Sequence, residues 1–278
     1  MILVTGATGT VGSQLVRELL DQDTPFYAAV HSRPLEIGGV ESRTLDYDRP
    51  ETLPPALEGV RTVYLVSYET LHEKALVEDA REAGVERIVK QSAWRAGDEG
   101  FVSGRWHREV EREIERSGLA WTFLRPNMFM QNFETVHGQS IRQENAFYES
   151  AEDASVSYID ARDVARVAAR VLTEPGHDGQ AYDLSGPAAV THEEIAAALT
   201  RALGRSIEYV RISDEEHRQR WMAAGVPREE AAAWVDISRY FRTGACSEVT
   251  AAVQDLTGRA PRSLREFCRD HAAELGGE

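Results

Sequence analysis

The sequence predicts an α/β protein whose core is a doubly wound parallel sheet, with a smaller, interleaved α/β lobe toward the C-terminus. Two patterns in the first half predict this fold class: short apolar segments alternate with amphipathic segments, and a glycine-rich turn directly follows the first apolar segment. The length agrees, because 278 residues with 42% apolar side chains can build one large domain with a small lobe.

Six short segments rich in Val, Ile, Leu and Tyr are expected to form the strands of the sheet, because strands buried on both faces are apolar throughout. They span residues 2–5, 26–30, 43–46, 62–66, 87–91 and 120–124. The intervening helices are expected at residues 11–20, 72–83 and 106–117. In the last of these, Trp106, Val110 and Ile114 mark the apolar face. Strand, helix and strand at this spacing predict parallel pairing with right-handed crossovers.

The rhythm changes after the sixth strand. Residues 131–152 show no strand period and are expected to be loop with some helix. The elements expected further on are a helix at 163–172, a strand at 181–184, a helix at 195–203, a strand at 207–212, helices over 214–242 with a break at Pro227, and a final helix at 263–275. Thr191 and Glu194 predict a capping box at the start of the helix around 195–203.

The two lobes are expected to interleave along the sequence. Residues 1–130 should form the larger domain, to which residues 155–185 return. Residues 131–154 and 186–278 should form the smaller lobe. No internal repeat, low-complexity tract or long linker separates these segments in the sequence.

Composition and charge exclude several classes of function. With 46 acidic and 31 basic side chains the net charge is -15, which repels phosphate backbones, so we expect no nucleic-acid binding. No segment has the roughly 18 consecutive apolar residues of a membrane span, and the apolar N-terminus lacks the basic flank of a signal peptide. Cys246 and Cys268 cannot form a disulfide framework, and the histidines show no metal-ligand spacing. A reduced, cytoplasmic protein without a bound metal is expected.

The glycine-rich turn is the strongest functional signal. Gly6, Gly9 and Gly12 stand three residues apart between the first strand and the first helix. In such a turn the first glycine permits a sharp bend, the second lets a pyrophosphate approach the backbone, and the third lets the helix pack against the strand. The N–H groups and positive dipole end of the helix then face the phosphates. The turn therefore predicts a Rossmann-type dinucleotide-binding domain. The expected cofactor contacts in this turn are Gly6, Thr8, Gly9, Thr10, Val11 and Gly12.

The turn and four later segments together resemble the NmrA-like family, an atypical branch of the short-chain dehydrogenase/reductase superfamily. The later segments are Leu45-Asp46-Tyr47-Asp48, Ile88-Val89-Lys90-Gln91-Ser92-Ala93, Leu124-Arg125-Pro126-Asn127 and Leu256-Thr257-Gly258-Arg259-Ala260-Pro261. The resemblance covers nearly the whole chain. It implies an NAD(P)-binding protein, and because the family includes quinone and imine reductases as well as redox sensors, it implies the fold more firmly than the chemistry.

The end of the second strand predicts NADP(H) rather than NAD(H). A carboxylate there would bind the ribose hydroxyls of NAD(H), but the segment Ala-Val-His-Ser-Arg-Pro has none. Ser32 and Arg33 are expected to bind the 2′-phosphate, the arginine through charge-assisted hydrogen bonds. His31 could stack on the adenosine or hydrogen-bond to it. The family resemblance also implies NADP(H).

Other cofactor contacts are expected at the carboxyl ends of further strands, which line the crevice of such a sheet. By the family resemblance, Asp46 and Tyr47 would contact the adenine, although Asp46 could equally cap a helix. Val66 and Ser67 end the fourth strand and could contact a ribose. Ser92 ends the fifth strand and is expected near the cofactor for the same reason, with a possible catalytic role.

The Tyr-x-x-x-Lys pair of orthodox superfamily members is absent from the matching place, where Ser103 and His107 stand. His107 could hydrogen-bond the nicotinamide ribose, as the lysine would, or act as a general acid near neutral pH. A histidine on a helix surface is the alternative. Glu111, four residues further on, is expected to orient the imidazole ring.

The segment after the sixth strand supplies the expected substrate contacts. By the family resemblance, Pro126 and Asn127 pass the nicotinamide end of the cofactor, and the following residues enter the substrate pocket. Phe129 and Met130 would provide apolar walls for a flat ring, and Asn132 an amide hydrogen bond. Ordinary packing of an apolar loop is the alternative.

These features predict an NADP(H)-dependent oxidoreductase that reduces a conjugated or aromatic small molecule, such as a quinone, an imine or an enone. The alternative is a non-catalytic NAD(P)-binding redox sensor that acts through a protein partner, which the missing Tyr and Lys favour. An epimerase or dehydratase of nucleotide sugars is less favoured, because it would need the tyrosine base. A monomer or a homodimer is expected.

Overall fold

A computed structural model describes residues 1–31, 35, 37–67 and 69–277. The strands are β1 (Ile2–Val4), β2 (Phe26–Val30), β3 (Glu41–Thr44), β4 (Thr62–Leu65), β5 (Arg87–Gln91), β6 (Ala120–Pro126), β7 (Ala146–Glu149), β8 (Ser155–Val156), β9 (Gln180–Leu184), β10 (Val190–Thr191) and β11 (Glu208–Arg211). The helices are α1 (Gly12–Asp21), α2 (Leu53–Leu57), α3 (Thr70–Glu82), α4 (Val102–Ser117), α5 (Asn132–Thr135), α6 (Gly138–Glu144), α7 (Ala161–Thr173), α8 (His192–Leu203), α9 (Asp214–Ala223), α10 (Arg228–Arg242), α11 (Ala252–Thr257), α12 (Leu264–Asp270) and α13 (Ala272–Gly276).

Seven of these strands form one parallel sheet in the order β3-β2-β1-β4-β5-β6-β9. The chain reverses its direction of travel across the sheet between β1 and β4, and in doubly wound sheets the ligand crevice opens at this switch point, beyond the carboxyl ends of the strands. The pairs β8–β10 and β7–β11 lie outside this sheet and form two small sheets of their own. The predicted fold class is confirmed.

Neighbouring residues of β1 pack on opposite faces of the sheet, as the period of a strand requires. Leu3 lies in the core beneath α2, α3 and α4, whereas Val4 lies in the core beneath α1 and α7. A third core, the aromatic core, is rich in aromatic side chains and includes Phe133, Phe147 and Phe267. Because helices cover both faces of the sheet, its ligand site can open only at the strand ends.

The predicted helix boundaries in the second half are confirmed where local chemistry sets them. The Thr191 hydroxyl accepts a hydrogen bond from the Glu194 amide, and the Glu194 carboxylate accepts one from the Thr191 amide, which is the predicted capping box. The helical stretch after Ser213 breaks into α9 and α10 at Pro227, the N-cap of α10. The tail forms two short helices, α12 and α13, separated at His271, where one helix was predicted.

Two strands differ from their predictions. The edge strand β3 begins two residues before its predicted start, and its sequence Glu-Ser-Arg-Thr is polar because an edge strand is half exposed to solvent. A prediction based on apolar residues therefore sets the start of β3 too late in the sequence. The strand β7 lies in a segment expected to have none, and it pairs in parallel with β11, about sixty residues further along the chain. Local patterns do not reveal such a distant pairing.

One packing prediction is wrong. Trp106 is 43% exposed, because Gly104 takes the buried face at this end of α4 and the Phe101 ring packs against it. Farther along the chain, Val253 of α11 packs in the core beneath α1 and α7.

Candidate functional site

The turn between β1 and α1 has a backbone geometry that requires two of its glycines. Gly6 has a φ of +60°, in the left-handed region that favours glycine, and its carbonyl accepts a hydrogen bond from the Gly9 amide at 2.9 Å. A Cβ atom on Gly12 would lie 2.0 Å from the Gly6 carbonyl oxygen. The start of α1 can therefore lie against the end of β1 only with glycine at this position.

The outer side of the same turn is open. Among the described residues, a Cβ atom on Gly9 would meet one atom within 4 Å, the Gly6 carbonyl oxygen at 3.2 Å. Gly6, Gly9 and Thr10 are exposed, Thr8 is half-buried and Val11 is buried. Within the described residues no side chain caps the N-terminus of α1, and its first turn carries no acid. This free helix end at the switch point fits a pyrophosphate, in both its shape and the sign of its dipole.

Thr5, which sequence reasoning missed, joins the ends of β1 and β4. Its buried hydroxyl accepts a hydrogen bond from the Val66 amide at 2.8 Å and lies 2.9 Å from the Val66 carbonyl oxygen. The Val66 side chain in turn packs against Gly6. Ser67 is held in its own loop, since its hydroxyl donates to the Glu69 carbonyl at 2.8 Å. The strand ends on either side of the switch point are thus tied together beside the turn.

Asp46 lies next to His31 at the ends of β2 and β3. Its carboxylate accepts hydrogen bonds from the Asp48 amide at 3.0 Å and from Arg49 Nε at 2.6 Å, and it lies 3.2 Å from His31 Nε2. The bond from Arg49 lowers the pKa of Asp46. The bond from Asp48 closes a tight turn, but within the described residues no side chain caps the helical turns at residues 50–57, so Asp46 is not the helix cap that was the alternative to an adenine contact. The predicted phosphate ligands Ser32 and Arg33 lie outside the described residues.

Tyr47 turns from this edge toward α3. Its ring stacks on the imidazole of His72, with centroids 4.6 Å apart. Its buried hydroxyl has no hydrogen-bond partner within the described part of the chain. Burial raises the pKa of Tyr47, so the hydroxyl keeps its hydrogen and can donate a hydrogen bond to a ligand. This orphaned polar atom beside the crevice fits the binding of a polar cofactor.

A buried ion pair, also missed by sequence reasoning, lies behind His107. The side chains of Glu73 and Lys90 are fully buried, and Lys90 Nζ lies 2.5 Å from Glu73 Oε2. The same ammonium lies 3.2 Å from Nδ1 of the half-buried His107. Burial, together with the Lys90 charge, lowers the pKa of His107 well below its usual value. Lys90 is a charged residue near the middle of a strand expected to be buried on both faces, and this was the signal that could have found the pair.

Glu111 does not orient His107, contrary to the prediction. Its buried carboxylate accepts a hydrogen bond from the Ser92 hydroxyl at 2.7 Å and a bidentate pair from Arg125 at 2.7 and 2.8 Å. Arg108 adds a longer contact at 3.3 Å. The carboxylate faces these groups because an arginine offers a planar fork that a histidine four residues away does not. The Ser92 hydroxyl, a predicted catalytic group, donates its hydrogen within the protein.

The segment after β6 divides between two cores instead of lining one pocket. Asn127 is buried, and its amide donates to Ser157 Oγ at 2.8 Å and to the Cys246 carbonyl at 2.9 Å, so its side chain is a structural tie. Phe129 packs against the core beneath α1 and α7, whereas Met130 is buried in the aromatic core. These residues alternate because the segment is extended, which puts neighbouring side chains on opposite sides.

Three predicted site residues of this segment, Pro126, Asn132 and Met130, lie in different environments. Pro126 is buried at the end of β6, where it pairs with Leu184 of β9. The half-buried Asn132 begins α5, and within the described residues its amide side chain has no hydrogen-bond partner. Met130 also lines a surface pocket of about 440 Å³ whose wall includes Tyr158 and Val190. Of the predicted substrate contacts, Asn132 is the one with a free polar group.

The parallel sheet, its switch point and the uncapped glycine turn define a dinucleotide-binding protein of the Rossmann class. The sequence profile of the NmrA-like family matches residues 1–267. The chain belongs to the NmrA-like family, as predicted.

Several relatives that match nearly the whole chain are reductases. It is 39% identical to an NAD(P)H azoreductase of Xenophilus azovorans, with 99% of each chain covered. Its structure is similar to that of an NADPH-dependent quinone oxidoreductase of Escherichia coli complexed with NADPH, with a TM-score of 0.86 and 27% identity over 97% of this chain and 99% of that one. A triphenylmethane reductase of Citrobacter sp. complexed with NADP(H) gives a TM-score of 0.83 and 28% identity over 98% of this chain and 100% of that one. These likenesses support the predicted class of function, NADPH-dependent reduction of aromatic small molecules, and the predicted cofactor.

The described ranges show neither a membrane span nor a metal site. No helix in them is long and apolar enough to cross a membrane. No group of three or more His, Cys, Asp or Glu side chains in them is placed to hold a metal ion.

Proposed function

We propose that this protein is an NADP(H)-dependent oxidoreductase that reduces a conjugated or aromatic small molecule of the quinone, imine or enone type. The observation that carries the proposal is the open glycine turn at the switch point, in a chain similar over its whole length to reductases of such molecules. The protein would act in the cytoplasm as a monomer or homodimer. The net charge of -15 supports the expectation that it binds no nucleic acid.

The backbone of the turn would hold the pyrophosphate of NADP(H). The N–H groups at the start of α1 carry no side-chain cap and face the open space above Gly9. Ser32 and Arg33 would hold the 2′-phosphate, with His31 beside them, more than half exposed. Because the Asp46 carboxylate already accepts hydrogen bonds from Asp48 and Arg49, it would support this edge and not compete for the ribose hydroxyls.

Bound NADPH supplies a hydride equivalent from its nicotinamide ring. The residues of this chain would position the ring and exclude water, since Ser103 and His107 stand where orthodox relatives carry the acid tyrosine and its lysine. A serine hydroxyl is too weak an acid to protonate a carbonyl oxygen near neutral pH. His107 would hydrogen-bond the ribose or the substrate. Phe129 and Asn132 would flank the acceptor, the latter with its free amide group.

The second candidate is a redox sensor that binds NADP(H) without turnover. The observation that favours it is the replacement of both residues of the Tyr-x-x-x-Lys pair, at Ser103 and His107. A sensor needs the open turn as much as a reductase does, so cofactor binding by itself does not separate the two.

Anaerobic oxidation of NADPH against a panel of quinones, azo dyes, iminium ions and enones tests the proposal. We expect turnover with at least one class for the natural protein and none above background for the variant Gly9→Val, whose side chain would fill the phosphate space. Calorimetric titration of NADPH into both proteins runs in parallel. Tight binding by the natural protein without turnover of any acceptor would overturn the reductase and leave the sensor.

A further inference from the structure

The ammonium of Lys90 has a complete set of acceptors in a fully buried setting. Its nitrogen lies 2.5 Å from Glu73 Oε2, 3.1 Å from the Gln91 carbonyl oxygen and 3.2 Å from His107 Nδ1. A lysine ammonium has three N–H donors and no lone pair. A carboxylate and a carbonyl can only accept, so the third N–H is directed at the imidazole nitrogen.

A nitrogen that accepts a hydrogen bond cannot carry a hydrogen itself. In a neutral imidazole one ring nitrogen is a donor and the other an acceptor. Because Nδ1 of His107 accepts from Lys90, Nε2 must hold the hydrogen. His107 is half-buried, and its one side-chain hydrogen bond among the residues that the structure describes is the one at Nδ1.

We propose that Glu73 and Lys90 are positioning residues that hold His107 as a neutral imidazole with its hydrogen on Nε2, so that His107 acts as a hydrogen-bond donor toward the nicotinamide ribose or the substrate and not as a general acid. The role assigned to the donor rests on the proposed reductase function; the tautomer itself does not. A general acid near pH 7 must exchange its proton, whereas this ring has no second proton to give.

The charge balance around the ring explains why a histidine can replace a lysine here. In this chain Lys90 places its charge behind the ring, where Glu73 neutralises it in a setting closed to water. Burial and the Lys90 charge both oppose a second proton on His107 and lower its pKa. What reaches the crevice is then a neutral N–H donor with a fixed direction.

Other ionisable groups near this cluster have partners or are neutral. The Tyr64 phenol donates to Gln91 Oε1 at 2.7 Å, and burial raises the pKa of Tyr64 and Tyr47, which face Glu73. On α3, Lys74 pairs with Glu109 of α4. On α4 itself the charged neighbours Arg108, Glu109 and Glu111 are paired with Glu115, Lys74 and Arg125. Protonation of His107 is therefore governed by Lys90 and Glu73.

The first test reads the tautomer directly and needs no activity. Nitrogen-15 NMR of protein labelled at histidine distinguishes protonated from bare ring nitrogens, and comparison with His107→Gln assigns the His107 signals. We expect a bare Nδ1 and a protonated Nε2, unchanged between pH 6 and pH 8. A hydrogen on Nδ1, or a ring that gains a second proton within this range, would overturn the proposal.

The second test removes the buried pair. The double variant Glu73→Gln/Lys90→Met is neutral at both positions and avoids leaving one buried charge unpaired. We expect the pKa of His107 to rise in this variant, because the Lys90 charge is gone while burial remains, and we expect the ring to lose its preference for the hydrogen on Nε2. An unchanged pKa together with an unchanged tautomer in the double variant would show that the pair does not position the ring.

The third test separates a donor from an acid. A glutamine amide reaches the place of Nε2, whereas an asparagine amide stops near the place of Nδ1. We expect His107→Gln to keep NADPH affinity and kcat within about threefold of the natural protein, and His107→Asn and His107→Ala to lose five- to tenfold. Equal loss in all three variants would contradict a donor role. Absence of turnover in every protein would refute the reductase, yet NMR and cofactor titration would still decide the tautomer.

Discussion

The carbonyl oxygen of Gly6 lies 2.0 Å from the point where a Cβ atom on residue 12 would stand. The Cβ atom would clash with a backbone atom, so no flexible side chain could move aside to relieve the clash. The turn and the first turn of α1 are therefore one rigid unit, and the conformation that exposes the helix N-terminus depends on the absence of a single carbon atom.

We predict that Gly12→Ala destabilises the protein by about 1–3 kcal/mol, the usual cost of forcing an extra carbon into a packed site. Urea unfolding followed by circular dichroism measures it. Gly38→Ala is the matched control, since a Cβ atom there meets nothing within 4 Å. An equal, small effect of the two substitutions would show that the turn yields more easily than its packing indicates.

Gly9→Val should have the opposite profile: we expect a folded protein that binds neither NADPH nor NADH. The Cβ atom at this position approaches the Gly6 carbonyl oxygen to 3.2 Å and no other atom of the described residues, so the fold needs a shift of a few tenths of an ångström. The branched side chain would occupy the space above the turn. Calorimetric titration measures affinity and circular dichroism monitors folding. Retained affinity would place the phosphates elsewhere.

Much of the turn could be predicted from the sequence because its constraints are local. Three glycines at fixed spacing between a strand and a helix admit few backbone paths, and the capping box at Thr191 and the break at Pro227 are equally local. The family follows from the same short motifs. These predictions do not depend on which distant side chains pack against each other in the folded protein.

The chemistry around His107 could not be predicted in the same way, because it depends on partners far apart in the chain. Glu111 stands four residues from His107 on one helix, but its carboxylate is held by Ser92 and Arg125 from neighbouring strands. The ring instead meets Lys90, seventeen residues away, on β5. Helical spacing shows which residues can meet, whereas charge and burial decide which of them do.

Arg33→Ala should weaken NADP(H) binding by about 1–3 kcal/mol, the range for a lost charged hydrogen bond, and leave NAD(H) binding nearly unchanged. The reason is that only NADP(H) carries the 2′-phosphate. Titration of both cofactors into both proteins tests it, with the exposed Arg116→Ala at the far end of α4 as the control. Equal affinity of the natural protein for the two cofactors would contradict the assignment.

Stability should fall with acidification partly through His137. Its ring lies between Phe133 and Phe147, and burial lowers the pKa of His137 to about 4. In the unfolded chain a histidine has a pKa of about 6.5, so as the pH falls the unfolded state takes up the proton first. His137 therefore contributes stability above about pH 6.5 that is lost progressively as the pH falls toward 4.

Between pH 7 and pH 5 this loss amounts to about 2 kcal/mol for His137 alone. Urea unfolding at the two pH values measures it, and His137→Phe, which keeps an aromatic ring but cannot titrate, should lose less stability over the same interval by that amount. His192 is buried too, and burial also lowers its pKa. The contribution of His137 is therefore the difference between the stability losses of the natural protein and of the variant. An identical pH dependence in both would refute the assignment to His137.

The reaction should depend on how electron-poor the acceptor is. A simple ketone accepts hydride poorly until a proton or a strong hydrogen bond reaches its oxygen, and the residue that would provide it in orthodox relatives is Ser103 here. Quinones, iminium ions and conjugated enones need less help, because the new charge is delocalised or already compensated. We expect turnover with these acceptors and little or none with aliphatic ketones, measured as anaerobic NADPH oxidation at matched concentrations. His107→Ala should reduce the rate or the cofactor affinity severalfold without abolishing turnover, since positioning would carry most of the catalysis. Efficient reduction of an aliphatic ketone would reveal an acid other than Ser103 and His107 and would refute the proposed substrate class.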